Sequence, residues 1–256
     1  MLIWILVFTF IGSGVSLLIA ALLLFRGNLA QKMAHWLVAF AAGAMLAAAF
    51  LDLLPEALRE AARPESVSNM VFLGIVGFFF LERFLLWHHH HACLPAGRPA
   101  RGSSCAVTKP TTHLVIVGDA LHNFLDGVTI AAAFLVNFQL GVVTALAVFF
   151  HEIPHEVGNF GVLLAWGMKK NRVLLFNIFS ALAAFAGAIL AFYLLAAFAN
   201  FIPYLIAFAA GNFIYIATSD LIPELHQHFQ KETAFSQTLS FVGGILVIWG
   251  AIRIFA

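Results

Sequence analysis

At 256 residues, 62% hydrophobic and only 10% charged, the chain is far from the roughly 25% charged composition of a soluble domain and belongs to the membrane class. A net charge of +1 with no basic stripe excludes nucleic acid as a partner. The two cysteines, Cys93 and Cys105, share one polar loop and suggest no disulfide framework.

A membrane span needs about 20 mostly apolar residues. Eight stretches meet that length, at roughly 2–25, 33–54, 69–87, 111–136, 140–167, 173–198, 202–224 and 236–255. The first begins at Met1 without a basic leader and reads as a spanning helix rather than a cleaved signal. The breaks near Asn137 and Asn200 are so short that their flanking helices must form tight hairpins. The expected architecture is an all-α integral membrane protein of eight transmembrane helices, a single transmembrane domain over 1–256. A flexible, His-containing loop at 88–110 interrupts it. That loop opens with His88 to His91, a tract of the kind that binds metals weakly.

Lysine and arginine mark the cytoplasmic side of short loops. Loops after spans 1, 3, 5 and 7 carry Arg26, Lys32, Arg98, Arg101, Lys109, Lys169, Lys170, Arg172 and Lys231, against Arg59 and Arg63 on the other side. The expectation is a multi-pass protein of the cell membrane, surrounded by lipid, with both termini extracytoplasmic and the 88–110 loop in the cytoplasm.

An internal repeat crosses the chain. Ala39-Phe-Ala-Ala-Gly43 recurs as Ala207-Phe-Ala-Ala-Gly211, and eight residues after each copy comes Asp-Leu-x-Pro-Glu, at Asp52 to Glu56 and Asp220 to Glu224. Span 2 and span 7 run in opposite directions, so spans 1–3 and 6–8 read as an inverted repeat around a central pair 4/5, a signature of secondary transporters.

Eight of the twelve acidic residues lie within or at the ends of these spans: Asp52, Glu56, Asp119, Asp126, Glu152, Glu156, Asp220 and Glu224. A charge at membrane depth costs at least ~2.5–3.5 kcal/mol and marks function. The densest strings are His122-Asn-Phe-Leu-Asp126 and His151-Glu-Ile-Pro-His-Glu156, with no lysine or arginine in those segments. Residues four apart share a helix face, so His122 and Asp126 point together, with Asn123 beside them. His151 and His155 do likewise, with Glu152 and Glu156 alongside. Imidazole with carboxylate suits zinc and its transition-metal neighbours better than calcium or magnesium. Pro154 frees the carbonyl of Phe150 and should loosen the helix at the site. Asp119, one turn before His122, is either an orienting partner for that imidazole or a packing or gating residue. Asp52 and Glu56 fall at one mouth and Asp220 and Glu224 at the other, as solvated helix ends or ion-gathering vestibules.

With these residues in view, the chain resembles the ZIP family of metal-ion transporters. His122-Asn-x-x-Asp-Gly127 resembles that family's fourth-helix motif, and His151-Glu-Ile-Pro-His-Glu156 matches the HEXPHE signature of a subfamily with many zinc importers. The resemblance implies a two-metal site with His122, Asn123, Asp126, His151, Glu152 and His155 as ligands, Met45 as a further ligand, and a homodimer. It implies no enzyme activity but transport of Zn²⁺ into the cytosol, with Cd²⁺, Fe²⁺ and Mn²⁺ as alternative cargo. The chain departs from the family at Asn159, where many members carry aspartate, and at Ser180, near where some carry a sixth-helix carboxylate. The alternative function is an intramembrane zinc protease, because His151-Glu-x-x-His155 is also an HExxH motif and Leu125-Asp-Gly127 an LDG motif.

Overall fold

The computed structural model describes residues 1–25, 28–87, 110–165, 167–227 and 231–255. The 88–110 loop therefore lies outside the described residues, apart from Pro110. Among the described residues the chain is nearly all helix and contains no strand. Eight helices are long and apolar enough to cross a membrane: α1 (Leu2–Leu23), α2 (Met33–Glu60), α3 (Glu65–Arg83), α4 (Val115–Val136), α5 (Phe138–Leu164), α6 (Lys170–Leu195), α7 (Ala199–Gln227) and α8 (Thr233–Phe255). α2, α4, α5 and α7 are mostly buried, whereas α3 and α8 turn most of their surface outward. The two hairpins are tight. Asn137 alone separates α4 from α5, and its carboxamide oxygen accepts from the Leu140 amide at 2.7 Å, capping α5.

The packing follows the repeat. α2 lies along α8 as α3 lies along α7, and α4 along α6 as α5 lies along α1, the pairings expected when helices 1–3 exchange with 6–8 and 4 with 5. Close approach explains Ala-Phe-Ala-Ala-Gly. A Cβ on Gly43 would collide with the Phe241 carbonyl of α8, and one on Gly244 with the Phe40 carbonyl of α2. At the equivalent crossing, Gly211 meets the Val71 carbonyl of α3 and Gly74 the Phe208 carbonyl of α7. The motif is thus the small-residue contact that lets these helices touch backbone to backbone, built twice.

The backbone irregularity sits elsewhere than at Pro154. Helix continues from Phe138 to Ala165 straight through that proline. The widened π-turns are Ala49–Leu53 in α2 and Ile216–Leu221 in α7, with a third at Phe10–Val15 in α1. The first two contain Leu51 and Ser219, whose carbonyls lie four residues before Pro55 and Pro223, where a proline ring clashes with a regular helix. A widened turn accommodates each ring, and π-turns commonly mark functional segments.

Candidate metal site

Four side chains from the two central helices converge in the protein interior. His122 and Asp126 come from α4, His151 and Glu152 from α5, all buried, with ligand atoms within 4.8 Å of one another. His122 Nε2 stands 3.1 Å from His151 Nε2, 3.2 Å from Glu152 Oε1 and 3.6 Å from Asp126 Oδ2. His151 Nε2 stands 3.3 Å from Asp126 Oδ2 and 3.5 Å from Glu152 Oε1. Bonds of about 2.0–2.2 Å place the ligand atoms of a tetrahedral Zn²⁺ about 3.3–3.6 Å apart. The five measured edges straddle that range, so the cluster is the size of a tetrahedral coordination shell.

Its electrostatics ask for a cation. Asp126 Oδ2 and both oxygens of Glu152 are buried without a hydrogen-bond partner, and the ion pair between an arginine and an acid among the described residues is Arg59 with Glu56. Buried carboxylates left unpaired are costly unless they coordinate a metal. The imidazole of His151 is already oriented for that task. Its Nδ1 lies 3.2 Å from the Ala147 carbonyl, which only accepts, so Nδ1 carries the hydrogen and Nε2 offers its lone pair to the cluster. Gly127 sets the neighbouring helix: a Cβ there would strike the Ala184 carbonyl of α6, as one on Gly187 would strike that of Phe124. This contact brings α6 close enough for Ser180 Oγ to accept from Asn123 Nδ2 at 3.3 Å.

The remaining candidates fall at different distances from this centre. Asn123 is fully buried and its Oδ1 unpartnered, while its Nδ2 also donates to the Asp119 carbonyl at 3.2 Å. His155 stacks on His122, ring centroids 4.5 Å apart, and its Nδ1 faces Asp119 Oδ1 at 3.5 Å and Glu152 Oε1 at 3.9 Å. Asp119 therefore turns toward His155, not His122, and accepts from Asn159 Nδ2 at 2.6 Å. Asn159 is thus the donor that holds this carboxylate. Glu156 is fully buried with both oxygens unpartnered. Met45 is fully buried in the main apolar core.

At one mouth, Asp52 and Glu56 are buried. Both oxygens of Glu56 are engaged, Oε1 by Asn137 Nδ2 at 2.8 Å and Oε2 by Arg59 Nη2 at 2.5 Å. Asp52 Oδ2 has no partner. Their repeat counterparts Asp220 and Glu224 are exposed. Glu82 in α3, absent from the sequence-based candidates, accepts from the Tyr215 hydroxyl at 2.6 Å. An acid inside an apolar run was the available signal.

The arrangement does not support the protease. In HExxH the two histidines of the motif share one metal and the glutamate works on water. Here His151 is joined by His122, His155 faces Asp119, and Glu152 is itself one of the four converging groups, closed off from solvent.

Comparison with known proteins agrees. Zinc transporter ZIP10 of Homo sapiens is 38% identical over 141 residues, 54% of this chain and 17% of that protein. Zinc transporter ZIP4 of Mus musculus is 42% identical over 113 residues, 44% of this chain and 17% of the relative. Zinc transporter ZIP6 of Homo sapiens is 42% identical over 112 residues, 44% of this chain and 15% of the relative. The match thus spans about a sixth of the length of these relatives. The sequence profile described as ZIP Zinc transporter matches residues 1–113 and, in a second overlapping segment, 88–251. With eight membrane-length helices and a buried His/Asp/Glu centre already in place, the chain belongs to the ZIP zinc transporter family.

Proposed function

We propose that this chain transports divalent transition-metal ions across the membrane, Zn²⁺ foremost, and into the cytosol, and that it is a transporter rather than an enzyme. The observation that carries the reading is the fully interior group of two imidazoles and two carboxylates, spaced as a tetrahedral shell and without a cationic side chain to balance it. His122, Asp126, His151 and Glu152 hold the ion. Asn123, His155 and Glu156, with Met45, serve the ion as it arrives or leaves. Cd²⁺, Fe²⁺ and Mn²⁺ offer the same divalent chemistry, and metal availability selects among them as much as affinity does.

The lysine and arginine distribution supports an orientation with both termini and Asp52 outside. Asp52, with its unpartnered oxygen, meets the ion first, while Glu56 is occupied by Arg59 and Asn137. Asp220, Glu224, His226 and the His88 to His91 loop receive the ion on the cytoplasmic side. Movement of one repeat-related bundle against the other would open the site to each side in turn. The family membership carries the suggestion of a homodimer.

Uptake of radiolabelled zinc into proteoliposomes tests the assignment. His122→Ala, Asp126→Ala and His151→Ala should each lower uptake at least ~10-fold, the minimum seen even for disturbed supporting residues of a metal site. Near-wild-type uptake in all three would sink it.

A further inference from the structure

We propose that the groove between α3, α6 and α7 is a binding site for one phospholipid, its phosphate held by Arg63 and its acyl chain lying against Met70, Leu195, Leu205 and Phe208. The groove is a cavity of about 500 Å³, within the range of roughly 300–1,000 Å³ that holds a small ligand. It opens at the end of the molecule where α3 and α7 begin, and at 1.5 Å per residue Met70 lies about 8 Å and Phe208 about 14 Å in from that end.

The lining joins a polar edge to an apolar remainder. Arg63, Ser66 and Tyr204 lie near the starts of α3 and α7, and the rest of the lining is apolar. The Arg63 amide donates to the Tyr204 hydroxyl oxygen at 3.2 Å, which leaves the Tyr204 hydrogen able to donate outward. The mouth thus presents a guanidinium and two hydroxyls, and a phosphate diester accepts from all of them. Arg63 is also uncommitted. The neighbouring Arg59 is bound to Glu56, whereas among the described residues no carboxylate, Glu60 and Glu65 included, reaches Arg63 within ion-pair distance. A lone cation above an apolar trough is complementary to a phosphorylated, acyl-bearing molecule and to little else in a bilayer. Position adds consequence. α6 packs along α4 and α3 along α7, so the groove is the seam between two helix pairs, and a lipid there would fill the space across which they meet.

Native mass spectrometry of the full chain, released from dodecyl maltoside micelles doped with a phosphatidylglycerol and phosphatidylcholine mixture, provides the test. Wild type should retain one phospholipid per chain. Arg63→Gln, which removes the guanidinium, and Leu205→Trp, which fills the trough, should each lower that occupancy about tenfold, equivalent to ~1.4 kcal/mol. Arg63→Lys should restore most of it, and Arg253→Gln, an exposed cation on α8, should leave it unchanged. A size-exclusion profile matching wild type establishes that each variant is folded. Undiminished lipid retention in both groove variants, equal retention of diacylglycerol in place of phospholipid, or loss of a chain dimer without loss of lipid would each overturn the proposal.

Discussion

Replacing Glu152 by glutamine separates the charge of the metal site from its shape. Asp126 and Glu152 bring their ligand oxygens within 4.8 Å of each other in a fully buried setting. With both ionised, Coulomb repulsion at an effective dielectric of 20 is about 3.5 kcal/mol at that distance. Glu152→Gln removes it at nearly constant volume, against about 1 kcal/mol for a buried amide imperfectly paired. The metal-free variant should therefore be more stable than wild type by about 1–3 kcal/mol, a rise of roughly 5 °C in Tm for a chain of this size. Zinc should then act unequally on the two proteins. At a concentration of about 100 times its Kd, zinc adds ~2.7 kcal/mol to wild type, whereas a variant bound a hundredfold more weakly gains only ~0.4 kcal/mol. Thermal melts of detergent-purified protein, with a chelator and with added zinc, read both effects in one experiment. A variant that melts below wild type in chelator and keeps the full zinc shift would refute both the unbalanced-charge argument and the ligand assignment.

Two further predictions address the repeat and the imidazoles. Gly43→Ala and Gly211→Ala each force a methyl group into a neighbouring carbonyl, so each should cost about 1–3 kcal/mol as overpacking, and to a similar extent; a large loss of Tm in one with none in the other would refute the equivalence of the two crossings. Ligating imidazoles must be neutral, so zinc binding should be at full strength at neutral pH and weaken as acid protonates them. Titration calorimetry from neutral pH downward should show Kd rising by up to two decades per pH unit as His122 and His151 compete for protons, and a flat profile would refute histidine ligation.

Much of this protein is legible in one dimension because a bilayer imposes one-dimensional rules. Each span must satisfy its own backbone hydrogen bonds and cover itself with apolar side chains, so eight helices and both hairpins can be read from composition and length. The helical period likewise predicts that His122 and Asp126 share a face, and their nearest ligand atoms come within 3.6 Å. The same rule applied to α5 pairs His151 with His155, yet the group that forms contains His151 and its immediate neighbour Glu152. Periodicity describes a helix alone and is silent on how far it is rotated toward its partner. The same holds for prolines. Three carry an equivalent sequence signal, but the widened turns lie before Pro55 and Pro223 and not at Pro154.

Span number, the two His/Asp/Glu strings, the repeat and the lack of counter-charges in those strings are all readable in one dimension, because they depend on local composition and spacing. Which of these side chains converge depends on how the helices pack. Backbone contacts at Gly127 and Gly187 set the α4–α6 crossing, placing Ser180 beside Asn123. The facing of α4 and α5 points His151 at His122 and leaves His155 to Asp119 and Asn159. It was likewise the fold that tied Glu56 to Arg59 and Asn137 while leaving Arg63, beside an apolar groove, with no carboxylate partner among the described residues. Those outcomes depend on the relative rotation and approach of helices distant in sequence, which is set by close packing across the whole bundle.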